Sequence, residues 1–394
     1  MNYETLKSIF FKFEPETAHT IVEKTLSISD CVFPGLYSIV AKNCVVTDAA
    51  LSQNLLGASF LNPVGIAGGF DKNATMLRPL AALGFGHVEF GTVTPKPQDG
   101  NAKPRLFRLI EEESIQNAMG FNNEGADALS ARVGKLYPFA IPLFANIGKN
   151  KITPNEEAIK DYEILVAKFN EICDCFVINV SSPNTPNLRE LQEDSFIKDL
   201  FARLTPIAKK PIIFKIAPDM DDDKAVQICK TAVESGAKGI IVNNTSVDYS
   251  LSKSPNLQNF GGLSGKDIAK RSRELFSAVA SELYGKTVLI ASGGIDSAEE
   301  AYVRIKSGAN LVQIYTSFIF KGPNIAKQIN EGILKLLKED NFASISEAVG
   351  YDIKNKILGL AHIYKMDPQD MAKAIEKSVE ISNGASEINI KILT

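Results

Sequence analysis

The sequence carries little net charge and few residues of the kinds that build metal centres. Its 394 residues have a formal net charge of −3 at pH 7 and an isoelectric point of about 5.8. Nucleic-acid-binding proteins neutralise phosphates with basic patches, and this balance of charge gives no indication of one. The cysteines lack the paired CxxC spacing of a zinc site; they are Cys31, Cys44, Cys173, Cys175 and Cys229. We therefore expect neither nucleic acid nor a metal as a partner, and a reducing cytoplasm as the compartment.

Long apolar stretches are also missing. No stretch reaches the roughly 18 apolar residues of a membrane-spanning helix, and the N-terminus lacks the apolar core and cleavage site of a signal peptide. We expect a chain that neither spans a membrane nor is exported. With 45% hydrophobic and 23% charged residues, its composition is that of a globular protein with a large core.

Eight short apolar runs recur along the chain, and segments long enough for a helix separate them. The runs lie at 63–68, 86–91, 141–146, 175–181, 211–217, 239–244, 287–292 and 310–315. Their nearly continuous apolar character is typical of strands buried on both faces of a parallel sheet. Eight βα units predict an α/β protein of the (β/α)8 TIM-barrel class. The alternative is an open doubly wound sheet, but no GxGxxG motif follows the first run.

The residues that follow these runs are mostly polar or glycine. In the stretch NVSSPNTPNL at 179–188, for instance, serines and amides come directly after an apolar run. Ordinary βα turns also use glycine and asparagine, which is enough to explain any single one of these ends. In a barrel, however, the carboxyl ends of all strands meet at one mouth, so amides and lysines at so many ends predict a ligand pocket.

Two features indicate the kind of ligand. Glycines follow the seventh and eighth runs, where barrels commonly bind phosphate with backbone N–H groups and a helix N-terminus. Lys72 and Lys215 lie at strand ends and can serve a carboxylate and an electron-rich ring, although two solvated lysines are the plainer alternative. We interpret His87 as a strand or turn histidine and not as a catalytic base.

The strongest indication of function comes from motifs in a particular order. They include AGGFDKN at 67–73, INVSSPNTPNLRELQ at 178–192, FKIAPD at 214–219, GGLSG at 261–265 and LVQIYTSFIFKGP at 311–323. From about Tyr3 to about Lys356, the chain resembles dihydroorotate dehydrogenases of the quinone-dependent, membrane-associated class. The resemblance implies a barrel that holds FMN and oxidises (S)-dihydroorotate to orotate in de novo pyrimidine biosynthesis, with a membrane quinone as electron acceptor.

The resemblance also implies residues for each ligand. FMN would contact Gly68, Gly69, Phe70, Asp71, Lys72, Thr92, Asn146, Asn179, Lys215, Asn243 and Gly265, with its phosphate at Gly294, Tyr315 and Thr316. Dihydroorotate would contact Lys72, Asn117, Ala118, Met119, Gly120, Phe121, Asn179, Asn184, Asn244 and Thr245. The quinone end would be lined by His19, Arg108 and Tyr315. One cation and several amides suit a small ring with a carboxylate and two amide edges.

The same resemblance implies a division of the chemistry. Ser182 would take the proton from carbon 5 of dihydroorotate while hydride leaves carbon 6 for the flavin, and Thr185 would relay that proton through water. Lys215 would stabilise negative charge on the reduced ring. The soluble classes that use fumarate or NAD carry cysteine as the base, so serine favours quinone. Those soluble enzymes, and a non-redox barrel that merely binds a phosphorylated ligand, are the alternatives.

The N-terminal segment has the pattern of two short helices broken before Pro15, with apolar residues such as Phe10 and Phe13 on one face. It is either an ordinary hairpin packed on the barrel or an interfacial anchor that opens a quinone tunnel. The second interpretation predicts peripheral association with the cytoplasmic side of the cell membrane.

Four segments are predicted along the chain. They are an N-terminal helical segment at 1–43, an FMN-binding barrel at 44–340, a C-terminal barrel segment at 341–356 and an extension at 357–394. The extension has the pattern of a helix starting near Asp367 and Pro368, followed by an alternating, strand-like stretch at 386–393. The family resemblance does not explain this extension.

Overall fold

The computed structural model describes residues 3–33, 35–356 and 367–373. Eight parallel strands form a closed barrel, and each overlaps one of the eight predicted runs. They are β1 (Val64–Ile66), β2 (His87–Val93), β3 (Leu143–Ile147), β4 (Cys175–Asn179), β5 (Ile212–Ile216), β6 (Gly239–Val242), β7 (Val288–Ser292) and β8 (Leu311–Ile314). The predicted (β/α)8 barrel is confirmed, and the open doubly wound alternative is wrong.

The order of strands around the barrel follows their order in the chain. Each strand pairs with the next, and β8 closes the barrel on β1 by pairing Val312 with Val64 and Ile314 with Ile66. Because all eight strands are parallel, their carboxyl ends lie at one mouth. This arrangement brings together loops that are far apart in the sequence.

Helices surround the barrel, and further helices precede it in the chain. They are α1 (Tyr3–Phe10), α2 (Pro15–Val32), α3 (Leu36–Cys44), α4 (Leu77–Ala82), α5 (Gly125–Gly134), α6 (Ala158–Phe169), α7 (Asp194–Leu204), α8 (Asp222–Glu234), α9 (Ala269–Leu283), α10 (Ala298–Lys306), α11 (Thr316–Lys321), α12 (Ile325–Glu339) and α13 (Ile345–Ala348). Side chains cap the N-termini of some of these helices. At the beginning of α8, for example, the Asp221 carboxylate accepts the N–H of Lys224 at 2.9 Å. The helices bury one face against the strands, as Leu165 and Phe169 of α6 do.

The barrel interior has two layers of side chains. The lower layer is apolar and contains Phe144, Cys175, Val177, Ile213, Ile241, Ile290 and Leu311. Residues two positions further along most of these strands share the same face and form an upper, polar layer of Glu89, Asn146, Asn179, Lys215, Asn243, Ser292 and Gln313. The core therefore ends, and the polar mouth begins, inside the strands.

Two small antiparallel sheets flank the two ends of the barrel. A hairpin of Gln53–Leu55 and Ala58–Phe60 brings Phe60 into the lower apolar layer, which closes that end. At the mouth, Leu106–Leu109, Ser114–Asn117 and Gly262–Gly265 form a three-stranded sheet. Asn117 pairs with Gly262 in this sheet, so the loop after β2 meets the loop after β6.

The N-terminal segment contains three helices and not the predicted two. Glu14 accepts the N–H of Thr17 at 2.8 Å, and Pro15 occupies the first turn of α2, so α2 begins where the sequence predicts. The helices are attached to the barrel at several points, including an ion pair of 2.7 Å between Glu16 of α2 and Arg105. In the part of the chain that the structure describes, no helix is long and apolar enough to cross a membrane.

The extension is only partly covered by the structure. Residues 368–373 are helical, as predicted for a helix starting near Asp367 and Pro368. The remainder of that helix and the strand-like stretch at 386–393 lie outside the described residues. The proposed segment boundaries at 43, 340 and 356 stay predictions.

Candidate active site at the barrel mouth

A cavity occupies the mouth of the barrel, above the polar layer. Its empty volume is about 1170 Å³, which includes space open to solvent. Loops after most of the strands line it, as expected for the catalytic end of this fold.

Most residues predicted to bind ligands line this cavity. Those that do so are Gly68, Gly69, Lys72, Thr92, Asn117, Met119, Gly120, Phe121, Asn179, Ser182, Asn184, Lys215, Asn243, Asn244, Thr245, Gly265, Gly294, Tyr315 and Thr316. Seven predicted residues lie elsewhere: Phe70, Asp71, Ala118, Asn146, Thr185, His19 and Arg108. The roles of all these residues stay predictions.

A network of amides connects three strands below the cavity. The Asn179 side-chain N–H donates to Thr92 Oγ1 at 2.9 Å and to Asn146 Oδ1 at 3.2 Å. Thr92 Oγ1 in turn donates to Asn146 Oδ1 at 2.6 Å. Asn244 extends the network, since its Nδ2 donates to Asn179 Oδ1 at 3.2 Å. Asn146 therefore lies behind Thr92 and Asn179 and holds them at the cavity surface.

Lys215 is neutralised by a carboxylate that the sequence-based prediction missed. Lys215 Nζ lies 3.0 Å from Oε1 of Glu89, which is 0% exposed. Asn146 Nδ2 also donates to Glu89 Oε1. Burial opposes the charged form of Glu89, but Lys215 and these hydrogen bonds outweigh it and lower the pKa of Glu89. Two opposite charges therefore share the polar layer, and Lys215 alone of the two lines the cavity.

The loop after β4 carries Ser182 into the cavity. Ser182 is 6% exposed, and its Oγ accepts the N–H of Asn184 at 3.2 Å. Arg189 braces the loop by donating to the carbonyl of Ser181 at 2.9 Å and to that of Thr245 at 2.8 Å. Among the described residues, the buried Oγ1 of Thr185 has no hydrogen-bond partner. Thr185 is close to Ser182 in the chain, and its hydroxyl is available to bind water or to take part in a proton relay.

Asn184 and Asn117 are hydrogen-bonded to each other in the wall of the cavity. Asn184 Nδ2 donates to Asn117 Oδ1 at 3.1 Å, although 67 residues separate the two in the chain. Asn101 supports both segments, because its Nδ2 donates to the carbonyls of Ala118 and Asn184 at 3.0 Å each. The two amides can exchange this mutual hydrogen bond for bonds to a ligand with amide edges.

Lys72 supplies a cation on the side of the cavity next to α2. Burial lowers the pKa of Lys72, and the carboxylates of Glu23 and Glu16 act in the opposite direction. Burial and the charge of Lys72 together lower the pKa of His19 to about 3, so His19 is neutral at pH 7. The His19 ring packs edge-on against Phe70 at 5.1 Å, and Phe70 packs against Tyr315 at 5.4 Å. An aromatic row thus leads from the cavity to the N-terminal helices.

Asp71 organises a loop and does not reach the cavity. Its two carboxylate oxygens accept the N–H groups of Thr75 and Met76 at 2.8 Å each. Burial raises the pKa of Asp71 to about 6, although these hydrogen bonds act in the opposite direction. Arg108 also lies outside the cavity lining, over the Phe11 ring at 4.5 Å from its centroid, and donates to the carbonyl of Phe13 at 2.9 Å.

The glycine-rich end of the cavity lies between β7 and β8. Gly293 and Gly294 have φ values of 102° and 73°, which side-chain-bearing residues rarely adopt. A Cβ at Gly294 would also clash with the backbone of Ala269. Thr316 Oγ1 lies 2.9 Å from Ser264 Oγ across this end. Small residues therefore leave backbone N–H groups accessible, which suits an anion.

Other cavity residues were not predicted. They include Ala67, Glu113, Asn122, Ser264, Lys266, Ile268, Asp296, Gln313 and Lys321. Several form a charged rim, in which Lys266 Nζ lies 2.6 Å from Glu113 and Lys321 Nζ lies 3.0 Å from Asp296. Among the residues that the structure describes, no group of three or more His, Cys, Asp or Glu side chains could hold a metal ion.

The chain is similar to known proteins over most of its length. The family model described as dihydroorotate dehydrogenase matches residues 50–337. The dihydroorotate dehydrogenase (quinone) of a Nitratiruptor species is 56% identical over 354 residues, which cover 90% of this chain and 100% of that relative. The protein of the same name from Helicobacter acinonychis (strain Sheeba) is 44% identical, also over 354 residues, with the same two coverages.

Solved structures agree with this result. The crystal structure of DHODH from Eimeria tenella in complex with ferulenol has a TM-score of 0.75 and 34% identity, covering 86% of this chain and 95% of that one. The ligand-free type of the same protein has a TM-score of 0.73 and 35% identity, covering 80% and 98%. Enzymes of the matched family are generally flavin-dependent. The chain therefore belongs to the dihydroorotate dehydrogenase family, as its motifs predict.

Proposed function

We propose that the protein oxidises (S)-dihydroorotate to orotate in de novo pyrimidine biosynthesis, with FMN as its flavin and a membrane quinone as the final acceptor. The observation that carries the proposal is the combination, around one cavity, of a serine, a lysine and a set of amides in a chain whose relatives are named dihydroorotate dehydrogenase (quinone). When bound, FMN supplies the acceptor for the substrate's hydride and the route of its electrons to the quinone.

The cavity has the features that FMN requires. Among the described residues, the buried Asn243 Oδ1 and Thr245 Oγ1 lack hydrogen-bond partners, and both residues line the cavity. A Cβ at Gly68 would come within 2.8 Å of Asn146 Nδ2 in the polar layer, so glycine lets the backbone lie on that layer at the cavity floor. The glycine-rich end at Gly293 and Gly294 suits a phosphate. These residues would hold the ring over Gly68 and the phosphate at Gly294.

Dihydroorotate suits the remaining polar groups. Its carboxylate needs a cation, and Lys72 is the lysine on the side of the cavity next to α2. Its two amide edges need groups that both donate and accept, which Asn117, Asn184 and Asn244 provide. These residues orient the small ring, so that carbon 5 faces Ser182.

Ser182 would take the proton from carbon 5. A hydroxyl is a weak base, so it must pass its own proton on as it accepts one. Thr185 is the candidate for this step, because its buried hydroxyl lacks a partner among the described residues and lies three positions away in the chain. A water molecule between the two hydroxyls would complete the relay.

The N-terminal helices would bring the protein to the cytoplasmic side of the cell membrane. Eight of the large apolar residues that the described chain exposes lie between Tyr3 and Cys44: Ile9, Phe13, Ile21, Ile28, Val32, Phe33, Leu36 and Ile39. Such a surface suits interfacial binding. His19 and Tyr315 both pack against Phe70, and Arg108 lies over the Phe11 ring, so these three residues would line the path of an apolar quinone.

Purified full-length protein tests the proposal directly. We expect a yellow protein that releases FMN on denaturation, whose flavin absorbance is bleached by dihydroorotate without oxygen. Turnover should be faster with a ubiquinone analogue than with fumarate or NAD. A colourless protein would favour the non-redox phosphate-binding barrel, and faster turnover with fumarate or NAD would favour the soluble classes.

Membrane association has its own test. Ile39→Ser on α3, where Ile39 is 62% exposed, should weaken binding to vesicles made of anionic and neutral phospholipids. Ile164→Ser on α6, where Ile164 is 52% exposed, is the matched control and should bind like the parent. Equal binding by both variants and the parent would contradict the proposed membrane surface.

A further inference from the structure

Glu89 is a buried carboxylate that the proposed reaction does not use. It lies on β2 inside the barrel, with no exposed surface. Its Oε1 accepts hydrogen bonds from Lys215 Nζ at 3.0 Å and from Asn146 Nδ2. A carboxylate in such a place is costly unless its charge is paired, so a purely structural role would be served equally well by an apolar residue.

Its position relates Glu89 to the floor of the cavity. A Cβ at Gly68 would come within 2.9 Å of the Glu89 carboxyl carbon, so the backbone of Gly68 packs directly on this carboxylate. Gly68 and Lys215 line the cavity, whereas Glu89 does not. The Glu89 carboxylate is thus separated from the cavity by the backbone of Gly68 and the ammonium group of Lys215.

Glu89 is also connected by hydrogen bonds and charge to the polar layer around it. Through Asn146 it is connected to Thr92 and Asn179, which both line the cavity. Through Lys215 it cancels a positive charge that would otherwise act on any ring above Gly68. Charges in an interior of low dielectric constant interact strongly, so the balance of this pair matters at the cavity.

We propose that Glu89 is a positioning residue that holds Lys215 at the cavity floor and, through its negative charge, lowers the reduction potential of the bound flavin. The inference depends on the proposed function, because it requires a flavin in this cavity. Reduction adds negative charge to the ring, which Lys215 favours and Glu89 opposes. Glu89 thereby keeps the reduced flavin a strong donor to the next acceptor.

The test is the midpoint potential of the flavin in full-length Glu89→Gln protein. The substitution keeps the shape and removes the charge. We expect at least a tenfold shift of the equilibrium towards reduced flavin, which is about 30 mV for a two-electron couple. The midpoint potential is measured by equilibrating the protein with a redox dye in the absence of oxygen.

Two controls separate the charge from a general disturbance. Asp174→Asn makes the same chemical change at the opposite end of the barrel, where Asp174 accepts the N–H of Leu143 at the start of β3 at 2.8 Å. It should keep the parental potential. In a Lys215→Met background, adding Glu89→Gln should shift the equilibrium less than threefold, because an unpaired buried Glu89 is already protonated.

Each outcome has a distinct meaning. A parental potential in Glu89→Gln that retains its flavin would overturn the inference and leave the proposed function intact. A parent protein without flavin would overturn the proposed function itself. If Glu89→Gln does not fold, Glu89→Met, which also removes the charge, takes its place: a shift of at least tenfold towards reduced flavin supports the inference, and a parental potential overturns it.

Discussion

Replacing Ser182 with alanine tests the proton acceptor of the proposed reaction. The change removes one hydroxyl from the cavity lining and leaves Lys72 and the amides in place. The Asn184 N–H loses its acceptor at 3.2 Å, but it remains at the solvent-accessible cavity. Removing a general base typically slows a reaction about 10²–10⁴-fold, equivalent to about 3–5 kcal/mol of barrier. We expect flavin reduction by dihydroorotate to slow within this range.

The neighbouring Ser181 provides a matched control. Its hydroxyl is fully buried, does not line the cavity, and accepts from Asn244 Nδ2 at 2.9 Å. Ser181→Ala should therefore weaken dihydroorotate binding through Asn244, while the limiting rate of flavin reduction changes less than tenfold. Rapid mixing without oxygen, followed by flavin absorbance, separates the limiting rate from the concentration dependence.

Two results would refute the assignment of Ser182. One is a limiting rate for Ser182→Ala within threefold of the parent at full flavin content. The other is a larger loss for Ser181→Ala than for Ser182→Ala. Thr185→Val and Thr185→Ser extend the test, because only the serine variant keeps a hydroxyl for the relay and should keep most of the activity.

Three further predictions concern binding and stability. Lys72→Ala should weaken dihydroorotate binding by about 2–5 kcal/mol, because the substrate loses a charged partner. The affinity is measured by titration with dihydroorotate, together with the flavin content of the variant. An unchanged affinity at full flavin content would contradict the prediction. Glu16→Gln breaks a mostly buried ion pair with Arg105 and should lower the free energy of unfolding, measured by chemical denaturation, by about 3–5 kcal/mol. Glu193→Gln breaks an exposed ion pair with Lys224 and should lower it by less than about 1 kcal/mol. Equal losses for the two variants would contradict this prediction. Burial lowers the pKa of His87 to about 4, below its unfolded value of about 6.5, so stability should fall by about 2 kcal/mol from pH 7 to pH 5. His87→Gln should remove this part of the pH dependence, and an identical pH profile would refute it.

The barrel was predictable because its strands are apolar on both faces. All eight runs became strands, and the bounds differ by only a few residues. The third N-terminal helix, α3, was missed for a local reason: Gly35 precedes it and provides no side-chain cap, and its residues Leu36 and Ile39 are exposed. A helix without a cap or a buried apolar stripe gives little signal in the sequence.

The pattern of runs predicts which loops meet at the site, and the family resemblance adds individual residues, most of which line the cavity. Parallel strands end together, so polar residues after them converge on one mouth. The depth of each residue was not predictable: Asp71 belongs to a cavity loop, yet its carboxylate turns back to the N–H groups of Thr75 and Met76. The ion pair of Lys266 and Glu113 at the cavity rim could not be predicted either. The two residues are 153 positions apart in the chain, and neither stands out in its local sequence.

The pair of Glu89 and Lys215 shows what a pattern of apolar runs conceals. Each charge lies within a mostly apolar run that forms a barrel strand, and 126 residues separate the two in the chain. A charge in such a run looks like an error when the run is considered alone. In the barrel, Lys215 points inward two positions after Ile213 of the lower layer, and Glu89 points inward two positions after His87, which stacks on Phe144. Their opposite charges lie 3.0 Å apart. The polar layer therefore depends on pairing between strands, which is why Glu89 could be identified only from the structure.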